Sequence, residues 1–206
     1  MRTNVACILL AAGLGTRFGG NKLLARVDGT PMIVRACRQH AAQPYALRVL
    51  VARPGDGELL AQALRFAFRP AYNPDPRRGI ASSLCIGLNM ALSVAEGEGL
   101  GLDGALFGVC DQPGLRGVTV ARLLEAFDAD PSRIVAPVSP EGRRGNPVIF
   151  PRASFPELLE LRGDRGGGLV IERHPKLLLT VPAPAEELRD VDTAQDASSA
   201  ETELRP

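Results

Sequence analysis

Along the chain, short apolar runs alternate with longer stretches in which apolar residues return every third or fourth position. That alternation is the pattern of a layered α/β domain. Val5–Leu10 is apolar throughout, as a strand buried on both faces must be. Leu47–Ala52 and residues 104–110 read as further buried strands, and the second of these runs straight into Asp111. Pro31 suits the first turn of a helix, and residues 32–42 then carry Ile33, Val34, Ala36 and Cys37 on one side. Leu59, Leu60, Ala63 and Leu64 have helical spacing within residues 56–66, and Leu84, Leu88 and Leu92 recur within residues 81–94. Helices over 118–127 and 155–161, with strands over 134–138, 147–150 and 176–181, complete the order. The expected fold class is α/β: one three-layer α/β/α domain over residues 1–196 with a mostly parallel mixed sheet, Rossmann-related. Residues 197–206 have little to bury and are expected to form a flexible tail.

Composition narrows the function. At 206 residues and 45% hydrophobic, the chain can bury a sizeable core, and with only 4% aromatics and no Trp that core must be aliphatic. Few aromatics also argue against a stacking platform for single-stranded nucleic acid. The 24 basic and 23 acidic residues leave a net charge of +1, with no electrostatic footprint for nucleic acid or an anionic membrane. The amino-terminal residues lack the pattern of a secretory signal, and no run reads as a membrane span, so a cytoplasmic protein is expected. The four cysteines, Cys7, Cys37, Cys85 and Cys110, are too widely spaced for a zinc knuckle or a redox pair. They read as buried reduced thiols.

Candidate chemistry begins directly after the first strand, in Leu9-Leu10-Ala11-Ala12-Gly13-Leu14-Gly15-Thr16-Arg17-Phe18-Gly19-Gly20-Asn21-Lys22. Small residues there let backbone N–H groups approach a phosphate, and Arg17 and Lys22 add the positive charge a triphosphate needs. The plain alternative is a glycine-rich turn with solvated basic residues. A dinucleotide fingerprint fails because Phe18 stands where its third glycine belongs; a P-loop fails because Gly20 is followed by Asn21-Lys22-Leu23. Asp111, at the end of a buried strand and before Gln112-Pro113, can offer a hard oxygen ligand to Mg²⁺ or merely cap its turn.

The run Leu10-Ala11-Ala12-Gly13, then Arg17, Gly19 and Lys22, resembles the molybdenum-cofactor nucleotidyltransferases, the family of molybdopterin guanylyl- and cytidylyltransferases, whose fold is nucleotide-diphospho-sugar transferase-like. The resemblance implies that Arg17 and Lys22 contact the triphosphate while Leu10, Ala11, Ala12 and Gly13 line the nucleotide. Asn73-Pro74 with Gly79-Ile80-Ala81-Ser82-Ser83-Leu84 is similar to a segment beside the base, giving Asn73, Ser82 and Ser83 base or ribose contacts; the two serines are also candidate helix caps. Cys110-Asp111-Gln112-Pro113 resembles the cytidylyltransferase branch and implies Asp111 as the principal magnesium ligand. Arg143-Arg144-Gly145-Asn146-Pro147 and Gly163-Asp164-Arg165-Gly166 resemble that branch's acceptor segments, giving Arg143, Arg144, Asn146 and Asp164 as acceptor-binding residues. Asp190-Val191-Asp192-Thr193 implies that Asp192 or Asp190 completes the metal site. The family's Pro-Glu is replaced here by Ala194-Gln195.

The implied reaction is CMP transfer from CTP to a molybdopterin–molybdenum acceptor, with Mg²⁺ as cofactor, pyrophosphate as product and a molybdoenzyme as recipient. Arg17, Lys22 and Asp111 are its catalytic set. A guanylyltransferase using GTP is the alternative within the family, and a non-catalytic protein delivering cofactor to a molybdoenzyme is the alternative outside it. Attack by an ionised phosphate needs no general base, consistent with a chain whose only histidines, His40 and His174, read as structural or surface residues. A nicotinamide-dependent oxidoreductase is disfavoured by Phe18.

Overall fold

A computed structural model describes residues 2–15, 18, 21–193 and 195–196. In chain order the elements are β1 (Val5–Leu10), a two-stranded ribbon of β2 (Arg26–Val27) and β3 (Thr30–Pro31), α1 (Met32–Ala41), β4 (Leu47–Ala52), α2 (Gly57–Leu64) and β5 (Arg69–Tyr72). There follow α3 (Ile80–Gly97), β6 (Gly104–Val109), α4 (Gly117–Ala129), β7 (Ile134–Val138), β8 (Val148–Pro151), α5 (Phe155–Glu160), α6 (Gly168–Arg173) and β9 (Leu178–Pro182). The seven-stranded sheet has the order β5-β4-β1-β6-β8-β7-β9. Only β8 runs antiparallel to its neighbours, β6 and β7. The carboxyl ends of β4, β1 and β6 therefore meet the amino end of β8 at one edge, the edge where an open α/β sheet binds ligands.

Side-chain alternation along the strands builds two cores, one on each face. Cys7, Leu9, Leu50 and Leu106 pack against α1, α2 and α4 through Ile33, Leu59, Val120 and Leu123. Ala6, Ile8, Val49 and Phe107 pack against α3, α5 and α6 through Leu84, Leu88, Leu158 and Val170. Each buried leucine or isoleucine contributes on the order of 1.5–3 kcal/mol, so these layers supply the scaffold's stability. The three-layer α/β/α architecture and mostly parallel mixed sheet are as expected.

Three elements were not legible. β5 contains Arg69 and Pro70, a poor strand sequence, but it lies at the sheet edge and pairs only with β4, where a proline is tolerated. α6 is six residues long and starts on the last of three consecutive glycines, too short for periodicity to register. The β2–β3 ribbon pairs only two residues per strand. The expectation that no run could span a membrane needs correction. Ile80–Gly97 is long and apolar enough by length and composition, with a mean hydropathy of 1.3, although its apolar residues Leu84, Leu88 and Ala91 are spent against the sheet. Residues 197–206, expected as a tail, lie outside the described residues.

Candidate functional site

Where β1 ends, the chain turns over the sheet edge through Ala11–Gly15 and roofs a cavity of about 360 Å³. The Ala11 N–H donates to the Val51 carbonyl at 2.8 Å, tying the exit of β1 to β4. Leu10, Ala11, Ala12, Gly13 and Lys22 all line this cavity, as does Asp111. A Cβ at Gly13 would meet nothing within 4 Å, so the space beside this glycine belongs to the cavity and not to packing. Gly79 is the opposite case. Its φ is +89°, and a Cβ there would collide with the Gly163 backbone, because the turn carrying Asp164 docks on the start of α3. The Ala81 N–H donates to the Gly163 carbonyl at 3.1 Å, and this docking puts Asp164 on the cavity wall.

The charged end of the cavity gathers three distant segments. Lys22 Nζ lies 2.7 Å from Asp111 Oδ2 and 3.3 Å from Asp192 Oδ1, and it donates to the Val191 carbonyl at 3.0 Å. The Val191 N–H in turn donates to the Asp111 carbonyl at 2.8 Å. Burial opposes the Lys22 charge, but Asp111 and then Asp192 outweigh it and hold the ammonium's pKa above its ordinary value. Asp190 Oδ1 accepts from Gln112 Nε2 at 2.9 Å; burial, followed by the nearby Asp111 charge, pushes its carboxyl pKa up. Asp111 Oδ1 is buried and has no hydrogen-bond partner among the described residues. A buried, unpaired carboxylate oxygen is costly, and a hard cation satisfies it. Asp111 and Asp192 thus fit a divalent metal, with Asp190 turned toward Gln112. Among the described residues no three His, Cys, Asp or Glu gather at metal-ligand spacing.

The remaining expected residues are dispersed. Arg17 lies outside the described residues. Asn73 is buried: its Nδ2 donates to Ser82 Oγ at 2.9 Å and Ser83 Oγ at 2.8 Å, while its Oδ1 accepts from the Asp75 N–H at 3.0 Å. Asn73 does not line the main cavity, Ser82 lines another hollow with Cys85 and Arg162, and Ser83 lines the main cavity. Neither serine caps α3. Gly79 holds the cap position without a side-chain bond, and Ser82 Oγ donates back to the Gly79 carbonyl at 2.8 Å.

The acceptor set is divided. Asp164 lines the main cavity; Asn146, delivered by the reversed β8, lines a contiguous hollow of about 90 Å³ with Phe107 and Phe150. Arg143 and Arg144 line a separate polar hollow of about 290 Å³, whose wall includes Asp190 and Asp192. Sequence reasoning missed two residues. Arg53, directly after β4, lines the main cavity, and its position at a strand end was the available signal. Gln112 straps the 188–190 segment to the end of β6 through the Leu188 carbonyl and Asp190. As expected, His40 is buried beside Tyr45 and His174 pairs with Glu157 on the surface.

A doubly wound sheet with a small-residue turn and a lysine–carboxylate cluster at its ligand edge defines a nucleotide-handling α/β domain. The chain belongs to the MobA-like NTP transferase domain family, which matches residues 7–177. It is 25% identical over 197 residues to a probable molybdenum cofactor guanylyltransferase of Nostoc sp. (strain PCC 7120 / SAG 25.82 / UTEX 2576), covering 94% of this chain and 88% of that one. It is also 28% identical over 205 residues to the nicotine blue oxidoreductase of Paenarthrobacter nicotinovorans, covering 94% and 96%. Among solved structures it resembles Rv0371c from Mycobacterium tuberculosis H37Rv, with a TM-score of 0.81 and 21% identity over 97% and 99% of the two chains. A further structure of that protein, at TM-score 0.73 and 21% identity over 98% and 100%, is described as a complex with manganese. At these identities the structural likeness establishes the fold.

Proposed function

We propose that this protein is a divalent-metal-dependent nucleotidyltransferase that moves a nucleoside monophosphate onto a molybdopterin-type acceptor with release of pyrophosphate. The observation that carries the reading is the Lys22–Asp111 pair, closed at 2.7 Å at the head of the cavity under the small-residue turn. Family membership and the curated guanylyltransferase relative support it. An oxygen of the acceptor phosphate attacks the α-phosphorus, the bond to the β-phosphate breaks in line with it, and pyrophosphate leaves with the bonding electrons. A phosphate monoester has its second pKa near about 6, so the attacking oxygen is already ionised and no side chain need take its proton. Lys22 is the N–H donor to the charge that builds on the triphosphate, and the backbone of Ala11–Gly13 holds the nucleotide in place. A magnesium or manganese ion, held by Asp111 and Asp192, supplies positive charge against the triphosphate oxygens when bound. The description of Rv0371c as a manganese complex supports a divalent site in this fold.

The nucleotide reading shifts from the CTP expected on motif resemblance toward GTP. The curated relative is named a guanylyltransferase, and the serine pair behind the CTP expectation is largely occupied by Asn73. All four cysteines are free and three are buried, which supports a reducing compartment such as the cytoplasm. The relative named nicotine blue oxidoreductase favours a second reading, a redox reaction in the same cavity. Mixing the protein with GTP or CTP, Mg²⁺ and molybdopterin separates them. Pyrophosphate release supports transfer; its absence, with an added reduced nicotinamide passing its hydride to an added quinonoid dye in a parallel mixture, overturns transfer.

A further inference from the structure

Arg53 enters the main cavity from the side opposite Asp111. It follows the last residue of β4, whereas Asp111 lies just past β6, and these two strands flank β1. Two inter-strand spacings separate the strand ends, about 10 Å. If the Lys22–Asp111 end holds the reacting phosphorus, as the proposed function has it, Arg53 meets the distal part of the nucleotide. The wall of this cavity also includes Pro76, Gly79, Ile80 and Ser83, apolar surface with a single hydroxyl, and Pro76 and Gly79 follow β5, the neighbour of β4. Such a lining suits a flat base better than a polyphosphate, which needs several converging donors.

The guanidinium of Arg53 is fixed before any ligand arrives. Its Nε donates to Asp56 Oδ2 at 2.9 Å and its Nη2 to Asp56 Oδ1 at 2.8 Å, while its own backbone N–H donates to Asp56 Oδ2 at 3.3 Å. Asp56 also accepts from Asn21 Nδ2 at 3.4 Å, linking this fork to the loop that carries Lys22. An arginine has five N–H donors. Asp56 takes the side formed by Nε and Nη2, leaving the end formed by Nη1 and Nη2 without a partner among the described residues. With 29% of the side chain exposed, that end remains reachable. A fork already held in place loses little freedom on binding, so it reads paired acceptors selectively.

We propose that Arg53 is the base-reading residue of this cavity, donating from its free end to the adjacent O6 and N7 acceptors of guanine. Guanine places two acceptors side by side there; adenine and cytosine carry an amino donor at the corresponding exocyclic position, which an arginine repels. The proposal rests on the cavity being a nucleoside triphosphate site and adds which part of the protein selects the base.

Calorimetric titration of GTP, 7-deaza-GTP, CTP and inorganic tripolyphosphate against wild type, Arg53→Gln and Arg53→Lys tests it. We expect Arg53→Gln to weaken GTP roughly 10- to 100-fold, to erase the difference between GTP and 7-deaza-GTP, and to leave tripolyphosphate binding unchanged. Arg53→Lys keeps the charge but not the fork, and should lose GTP preference in the same way; it also serves if the glutamine variant fails to fold. Equal weakening of GTP and tripolyphosphate would make Arg53 a phosphate contact and overturn base reading. An unchanged GTP-to-CTP ratio, or a wild-type preference for CTP, overturns it as well. A wild type that binds none of the four ligands refutes the nucleotide site itself, a separate failure.

Discussion

Lys22 Nζ bridges Asp111 Oδ2 at 2.7 Å and Asp192 Oδ1 at 3.3 Å, so one ammonium sits between the two carboxylates best suited to a divalent cation. A cation on these carboxylates, even at the unpaired Asp111 Oδ1, lies a few ångströms from that ammonium, and like charges at such range repel. A triphosphate changes the balance by offering Lys22 a different anion. The cation is therefore expected to bind together with the nucleotide and weakly without it. Mn²⁺ titration followed by electron paramagnetic resonance should show at least roughly tenfold tighter binding when triphosphate is present. Lys22→Met should bind Mn²⁺ more tightly than wild type in the absence of nucleotide. Equal Mn²⁺ affinity in all three conditions would rule out the competition.

Asp111 offers a sharper test of the site, because its backbone and side chain do different things. Its carbonyl holds the 190–192 segment through the Val191 N–H, and that bond survives a change of side chain. Asp111→Asn should thus fold with unchanged circular dichroism yet lose turnover by about 10²–10³, the usual cost of removing one preorganised charge contact. Near-normal pyrophosphate release from the folded variant would remove Asp111 from the proposed mechanism.

Gly13 and Gly79 should respond oppositely to the same methyl group. At Gly13 a Cβ meets nothing within 4 Å, so Gly13→Ala should keep or slightly raise stability, by about 0.4–1 kcal/mol from the restricted unfolded chain. The methyl would occupy ligand space, so nucleotide affinity should fall. At Gly79 the backbone sits at φ +89° and a Cβ overlaps Gly163, so Gly79→Ala should lower stability by at least about 1–3 kcal/mol. Thermal melting paired with nucleotide titration distinguishes the two. A Gly13→Ala protein with undiminished nucleotide affinity would move the ligand away from this turn.

Most of the scaffold could be read before the structure because buried parallel strands leave continuous apolar runs. Val5–Leu10 and Leu47–Ala52 were placed with their observed bounds. β5 escaped because its partner on one side compensates for Arg69 and Pro70, a tertiary effect that local sequence does not encode. Motif order along the chain implied that Lys22 and Asp111 serve one site, Lys22 on the triphosphate and Asp111 on the metal, but not the direct ion pair between them. The division of Arg143, Arg144, Asn146 and Asp164 among three hollows was not visible, since it follows from the reversal of β8 and the docking of residue 163 on α3. Arg53 was overlooked for a different reason. Its place at the end of β4 could be read, but an arginine in an Arg-Pro-Gly-Asp turn reads as surface, and the fork on Asp56 that fixes it at the cavity is a tertiary contact.

His40 should make stability depend on pH in a defined window. It is fully buried on α1, with Nδ1 2.9 Å from the Tyr45 hydroxyl and Nε2 without a hydrogen-bond partner among the described residues. Burial, reinforced by the Arg48 charge, lowers its pKa from 6.5 to about 4. Between those two values the unfolded chain binds a proton that the folded chain refuses. Acid therefore favours unfolding, so the contribution of neutral His40 is complete above pH 6.5, declines as pH falls, and is exhausted near pH 4. The total is on the order of 3 kcal/mol, from about 1.4 kcal/mol per pKa unit. Urea unfolding at closely spaced pH values should show that slope in wild type and a flatter one in His40→Gln, whatever the variant's absolute stability. Parallel slopes in the two proteins would mean that His40 takes up its proton without unfolding the chain.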